Sequence, residues 1–139
     1  LEVRRVVNLR NPAHSLVKLM NPCEGKSLIV SSYTHPEYAE SMAATFELMQ
    51  SNALLLRGTE GEAVADPRRT PKMRAFIAGH PLDLQEAQTG TLATLPDLPT
   101  AIDADSTAAY IRAVMAGDQP VPPPIAQQVV HILHLVSQL

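Results

Sequence analysis

The chain has one cysteine, no tryptophan, two phenylalanines and three tyrosines in 139 residues. A lone Cys23 cannot close an internal disulfide, which fits a reducing, cytoplasmic setting. Beside Pro22 it reads as a small filler rather than a nucleophile. No apolar run approaches the roughly 18 residues of a membrane helix, and no charged segment followed by an apolar one marks a secretion signal. A membrane is therefore not expected among its partners. The six glycines are scattered, so no glycine-rich stretch is present to cradle phosphates. Net charge is only -3 with 18% charged residues, where a dedicated nucleic-acid binder is usually basic. No methionine opens the chain. It enters at once into the apolar-basic pattern Leu1-Glu2-Val3-Arg4-Arg5-Val6-Val7, and the expectation is a piece of a longer protein.

What is present suits one soluble domain spanning residues 1–139. An apolar content of 45% can build a real core at this length. The charges are unevenly spread. Residues 1–74 hold ten Lys and Arg against eight Asp and Glu, whereas residues 75–139 hold Arg112 alone against six acids. The cationic half would suit an anionic ligand, although clustering on a solvated surface produces the same count.

The organising stretch is Ala53 to Arg69. Ala53-Leu54-Leu55-Leu56 is an uninterrupted apolar run ending in a polar, glycine-bearing loop, which predicts a strand buried on both faces. Upstream, Ser27 to Tyr33 is β-branched and apolar and predicts another strand. Between them Thr34 to Met49 predicts a helix. Thr34 is its candidate N-cap, Pro36 lies in the first turn, and Glu37 completes a capping box. Tyr38, Met42, Phe46 and Met49 form a core-facing stripe. Strand, helix and strand in this order make a βαβ unit with parallel pairing and a right-handed crossover. The loop after its second strand, Arg57-Gly58-Thr59-Glu60-Gly61-Glu62, stands where open α/β sheets place ligands. It reads either as a ligand loop or as an ordinary solvated connection.

The remaining elements are shorter. Asn11-Pro12 starts a short helix from His14 to Met20, with Leu16, Leu19 and Met20 on one side, and residues 1–8 read as the end of a helix. A turn cluster covers Asn21 to Lys26. Met73 to Gly79 is a weaker strand, and residues 80–103 are mostly loop with at most one short strand. Asp103 to Ser106 cap a helix from Thr107 to Ala116, with Tyr110, Ile111, Val114 and Met115 inward and Gly117 as C-cap. The last helix, Ile125 to Ser137, is apolar on most sides and should be buried on more than one face or dock on a further segment. Its His131 and His134 have no visible third metal ligand and read as rim or satisfied histidines.

Val3 to Pro22 (VRRVVNLRNPAHSLVKLMNP) resembles the segment of anthranilate phosphoribosyltransferases and related nucleoside-phosphorylase-type glycosyltransferases that runs VR, RT, an apolar helix and NP. Val3-Arg4, Arg10 and Asn21-Pro22 occupy those places. The text from Arg10 to Pro22 is closer still to a sub-branch of anthranilate phosphoribosyltransferase-like proteins, some of which bind DNA without sequence preference. Ser31 to Tyr38 and Leu56 to Gly61 resemble the next family segments in order. The resemblance covers residues 3–65 well and the rest weakly.

That resemblance implies an α/β fold: a mixed, largely parallel sheet flanked by helices, as the C-terminal part of a longer, homodimeric chain. It implies Mg²⁺-dependent transfer of phosphoribose from phosphoribosyl pyrophosphate to an aromatic amine, a step of tryptophan biosynthesis. There, positioning and charge stabilisation of the leaving pyrophosphate carry the catalysis. Arg4, Arg10 and Arg57 take substrate-binding places, Arg4 suiting a carboxylate. Glu60 and Glu62 take the place of an adjacent acidic pair that holds Mg²⁺ through oxygen, but here Gly61 separates them. The family's phosphate loop belongs upstream, so this chain alone is expected to be inactive. The alternative is a nucleic-acid-binding member of the family without transferase activity.

Overall fold

The computed structural model describes residues 16–92 and 96–139. A four-stranded sheet runs in the order β1-β2-β3-β4, from β1 (Ile29–Tyr33), β2 (Ala53–Arg57), β3 (Met73–Ile77) and β4 (His80–Gln85). Three helices accompany it: α1 (Pro36–Leu48), α2 (Ala104–Ala116) and α3 (Pro123–Val136). The β1-α1-β2 unit is parallel, with Ile29 opposite Ala53 and Tyr33 opposite Arg57. The other two pairings are antiparallel. The class is thus α/β with an open mixed sheet, and the expectation of a largely parallel one is corrected. The reason is local: Ala78 and Gly79 take φ of 47° and 80°, a two-residue turn of the kind that returns a strand directly on itself. Gly79 has no freedom to be larger, because a Cβ there would meet the Glu47 carbonyl oxygen at 2.8 Å.

The apolar run Ala53–Leu56 is buried throughout, as its composition predicts, and its side chains alternate between two cores. On one face Ala53, Leu55 and Phe76 pack with Met42, Ala43 and Phe46 of α1. The Phe46 and Phe76 rings sit 5.3 Å apart at 49°, a tilted aromatic contact. On the other face Leu54, Leu56, Met73 and Ala75 pack with Leu135 of α3 and with Ala65 from the β2–β3 connection.

Several local expectations change. The helix expected from His14 to Met20 is, within the described residues, a 3-10 turn at Val17–Leu19. Only Leu19 packs on the core, while Leu16 and Met20 are exposed. The N-cap of α1 is His35, which makes no side-chain capping bond; Thr34 Oγ1 instead pairs with His35 Nδ1 at 2.9 Å. Of the predicted α1 stripe Met42 and Phe46 are buried, but Tyr38 and Met49 are exposed and Ala43 takes part in their stead. Helix α2 is capped as expected, Asp103 accepting from the Ser106 amide at 2.8 Å and Gly117 adopting the left-handed C-cap. None of its residues is buried, however, so Ile111 and Met115 do not face a core. Helix α3 buries Pro124, Gln128 and Leu135. Its Val129, Val130, Leu133 and Val136 are about half exposed, so it packs on one face only. No described helix is long and apolar enough to cross a membrane.

Candidate functional site

The carboxyl ends of the parallel strands β1 and β2 meet the connection 58–72, and three sets of side chains gather there. The first is the loop itself. Gly58 enters it so closely packed that a Cβ would lie 2.8 Å from the Glu62 carbonyl oxygen and 3.2 Å from Ser32 Cβ. Lys18 reaches across from the 3-10 turn and donates to the Gly61 carbonyl at 3.0 Å and to the Ser32 carbonyl at 3.2 Å. Ser32 Oγ donates to the same Gly61 carbonyl at 2.9 Å. With a longer third contact to Ser32 Oγ at 3.4 Å, the ammonium has a protein partner for each of its three donors and braces the loop from within.

The two acids of the loop behave differently. Glu62 turns back on its own loop: Oε1 accepts from the Thr59 amide at 2.8 Å and the Thr59 hydroxyl at 3.0 Å, and Oε2 accepts from the Glu60 amide at 2.8 Å. Partial burial would raise its pKa, but these backbone amides outweigh it and bring the carboxyl from 4.5 down to about 2. Glu60 is exposed. Among the described residues no group of three or more His, Cys, Asp or Glu could hold a metal ion. Three of the acceptor positions of the Glu62 carboxylate are thus spent on the loop, two on Oε1 and one on Oε2, which leaves Glu60 the freer acid of the pair toward a cation.

The third set lies on the α1 face of the sheet. Tyr33 and Arg57 are partners across β1 and β2, and Leu55 and Arg74 are partners across β2 and β3. Alternation therefore puts Tyr33, Leu55, Arg57 and Arg74 on one face. Lys72, just before β3, reaches the same place and lines a cavity with Tyr33 and Arg74. That cavity, of about 150 Å³, is also lined by Ala39, Glu40 and Leu55. Arg74 Nε donates to Asp83 Oδ1 at 2.7 Å, while Lys72 lies 3.6 Å from Asp83 and 3.5 Å from Glu86. The Arg74 guanidinium holds the Asp83 carboxyl below the usual carboxylate range. These pairs are about 40% or more exposed, so water screens them and each contributes little to stability. Arg57 is exposed, with no ion-pair partner among the described residues.

Two comparisons bear on the chain. No family model matches it. It is 39% identical over 123 residues to a protein of Escherichia coli (strain K12) named "Uncharacterized protein YbiB". That match takes in 88% of this chain and 38% of the relative, so the chain spans well under half of the relative's length.

Of the five site residues expected from sequence, Arg57 stands on the cationic face, and Glu60 and Glu62 stand in the loop, apart in role. Arg4 and Arg10 lie outside the described residues. The neighbouring Arg68 and Arg69 are engaged locally. Arg68 makes a two-point contact with Asp66 at 3.0 and 3.1 Å, and Arg69 donates to the Gly90 carbonyl at 3.0 Å. The His131–His134 pair is likewise satisfied on its own helix, by Gln127 at 3.0 Å and Gln138 at 2.8 Å. Sequence reasoning missed Lys18, Tyr33, Lys72 and Arg74. Arg74 stood inside the strand expected from Met73 to Gly79, and Lys72 two positions before it, the alternate spacing that puts two side chains on a common face if the extended backbone begins one residue earlier.

Proposed function

We propose that the chain is the α/β portion of an anthranilate phosphoribosyltransferase-like protein, and that its function is to bind the phosphates of a nucleic acid rather than to transfer phosphoribose. The observation that carries this reading is the set of cations on one side of the sheet, Arg57 at the end of β2, Arg74 on β3 and Lys72 just before it, beside the half-buried ring of Tyr33. Cations at strand spacing on a sheet face match a phosphate backbone, with an aromatic ring at hand for a base. The turning of Glu62 onto the Thr59 and Glu60 amides supports the same reading, since it leaves that carboxylate less free for Mg²⁺.

Binding of the chain to a single-stranded oligonucleotide, titrated across salt concentrations, tests the proposal. Affinity should fall linearly on logarithmic axes without dependence on base sequence. Arg57→Ala and Lys72→Ala should each lower the slope by roughly 1. Salt-independent binding, or none, overturns it.

The second reading, phosphoribosyl transfer to an aromatic amine, is favoured by one specific feature: the Gly58–Glu62 loop stands at the carboxyl ends of two parallel strands, where open α/β sheets hold ligands. Mg²⁺-dependent consumption of phosphoribosyl pyrophosphate with anthranilate, abolished by Glu60→Gln, would establish it over the first.

A further inference from the structure

We propose that the cavity between α1 and the carboxyl edge of the sheet is a subsite for one unstacked base of single-stranded nucleic acid. The inference rests on the phosphate-binding reading and adds a specific contact to it.

The cavity is small, about 150 Å³, against roughly 300–1,000 Å³ for sites that take whole drug-sized ligands. It admits one flat ring system and little else. Its floor is apolar, made by the buried Leu55, and Ala39 on α1 forms a low wall. The ring of Tyr33 supplies an aromatic surface. Its rim carries groups of both kinds: Lys72 and Arg74 donate, and the Glu40 carboxylate accepts. A simple anion would leave Glu40 repelling it, and an aliphatic chain would leave all three polar groups unmatched. A nucleobase answers all of them, having two π-faces and an edge with donors and acceptors together.

The ion pairs at the rim do not bar entry. Asp83 faces both Lys72 and Arg74, at 3.6 and 2.7 Å, in positions open to water. Arg74 engages Asp83 through Nε alone and is itself part of the cavity lining. Arg57 lies two residues beyond Leu55 on the same strand face, about 7 Å at the strand rise of ~3.3 Å per residue. A base seated over Leu55 therefore places its own backbone phosphate within reach of Arg57. Only an unpaired base can enter, because in a duplex the ring is stacked and its edge is taken.

The test compares a single-stranded oligonucleotide with an abasic oligonucleotide of the same length, in equilibrium titrations at fixed salt. The expected result is at least about fivefold tighter binding of the base-bearing strand, the lower end of what base–aromatic stacking supplies. Tyr33→Leu should erase that preference while leaving the salt slope unchanged. Ala39→Leu, which fills the slot with a good helix former, should do the same and guards against a Tyr33 variant that folds poorly. With no tryptophan and three tyrosines in the chain, tyrosine emission provides a second readout. Quenching by the base-bearing strand should vanish in Tyr33→Leu. Equal affinity for the two strands, or a preference that survives both substitutions, overturns the subsite while phosphate binding stands. Absence of binding to either strand overturns phosphate binding itself, and the subsite with it.

Discussion

Each face of the sheet has a helix packed on it, yet the two are assembled differently. The α1 face is local. Its helix joins the two strands it covers, and its core of Phe46, Phe76, Leu55, Ala53, Met42 and Ala43 draws mostly on residues 42–55. The α3 face is distant. Leu135 packs on Leu54 and Met73 from some sixty or more positions away, and Gln128 crosses 63 positions to accept from the Ala65 amide at 2.7 Å and donates to the Ala63 carbonyl at 2.9 Å. The core of one face is purely apolar, whereas the other adds a buried amide that fixes where the long β2–β3 connection lies. The local face also stops short of the sheet's carboxyl edge and leaves the Tyr33–Arg74 cavity. A helix confined between two short parallel strands covers only part of the face it packs on.

The largest expected effect comes from breaking the local face. Phe46→Ala removes a fully buried ring and should cost about 3–5 kcal/mol, read as a lower urea midpoint for the whole domain. On the distant face Gln128→Leu keeps the volume but orphans the Ala65 N–H and the Ala63 carbonyl, and should cost about 1–3 kcal/mol. If instead it proved neutral, the connection would be held by Ala65 packing alone.

Acidity sharpens the contrast at the loop. Glu62 has a folded pKa of about 2 against an ordinary 4.5, so its stabilisation is complete above pH 4.5 and drains away as pH falls toward 2. Stability of Glu62→Gln, measured over that interval beside the unsubstituted chain, should show a shallower acid limb. A smaller, opposite effect is expected at Ser31, whose buried hydroxyl has no partner among the described residues. Ser31→Ala should leave stability unchanged or raise it by up to about 1 kcal/mol in the same urea assay. The smallest belongs to α2, which buries nothing. Asp103→Ala should reduce helical circular dichroism without moving the cooperative midpoint, because a helix outside the core frays on its own.

Much of this was legible in the residues, and the failures have common causes. The run Ala53–Leu56, the parallel unit around it and the caps at Asp103 and Gly117 follow from composition and local chemistry. The α1 stripe was half right because periodicity marks a face but not how far along the helix the burial extends: Tyr38 in the first turn and Met49 at the C-cap are exposed, while Met42 and Phe46 between them are buried. The sheet was expected to be largely parallel because the resemblance implies one, whereas the Ala78-Gly79 turn made β3 and β4 a hairpin. The acidic loop could be located, but the use of its carboxylates could not be read. Spacing by one glycine lets Glu62 fold back onto the Thr59 and Glu60 amides, a choice made by loop geometry.

Composition, hydrophobic period and turn chemistry thus determined which segments become strands and helices and which faces they bury, since those preferences act between near neighbours. The tertiary structure alone decided that Lys18 braces the loop, that Gln128 pins it, and that Tyr33, Arg57, Lys72 and Arg74 lie on one side of the sheet. These groupings join residues from 14 to 65 positions apart, and only strand pairing and packing bring such distant side chains to a common place.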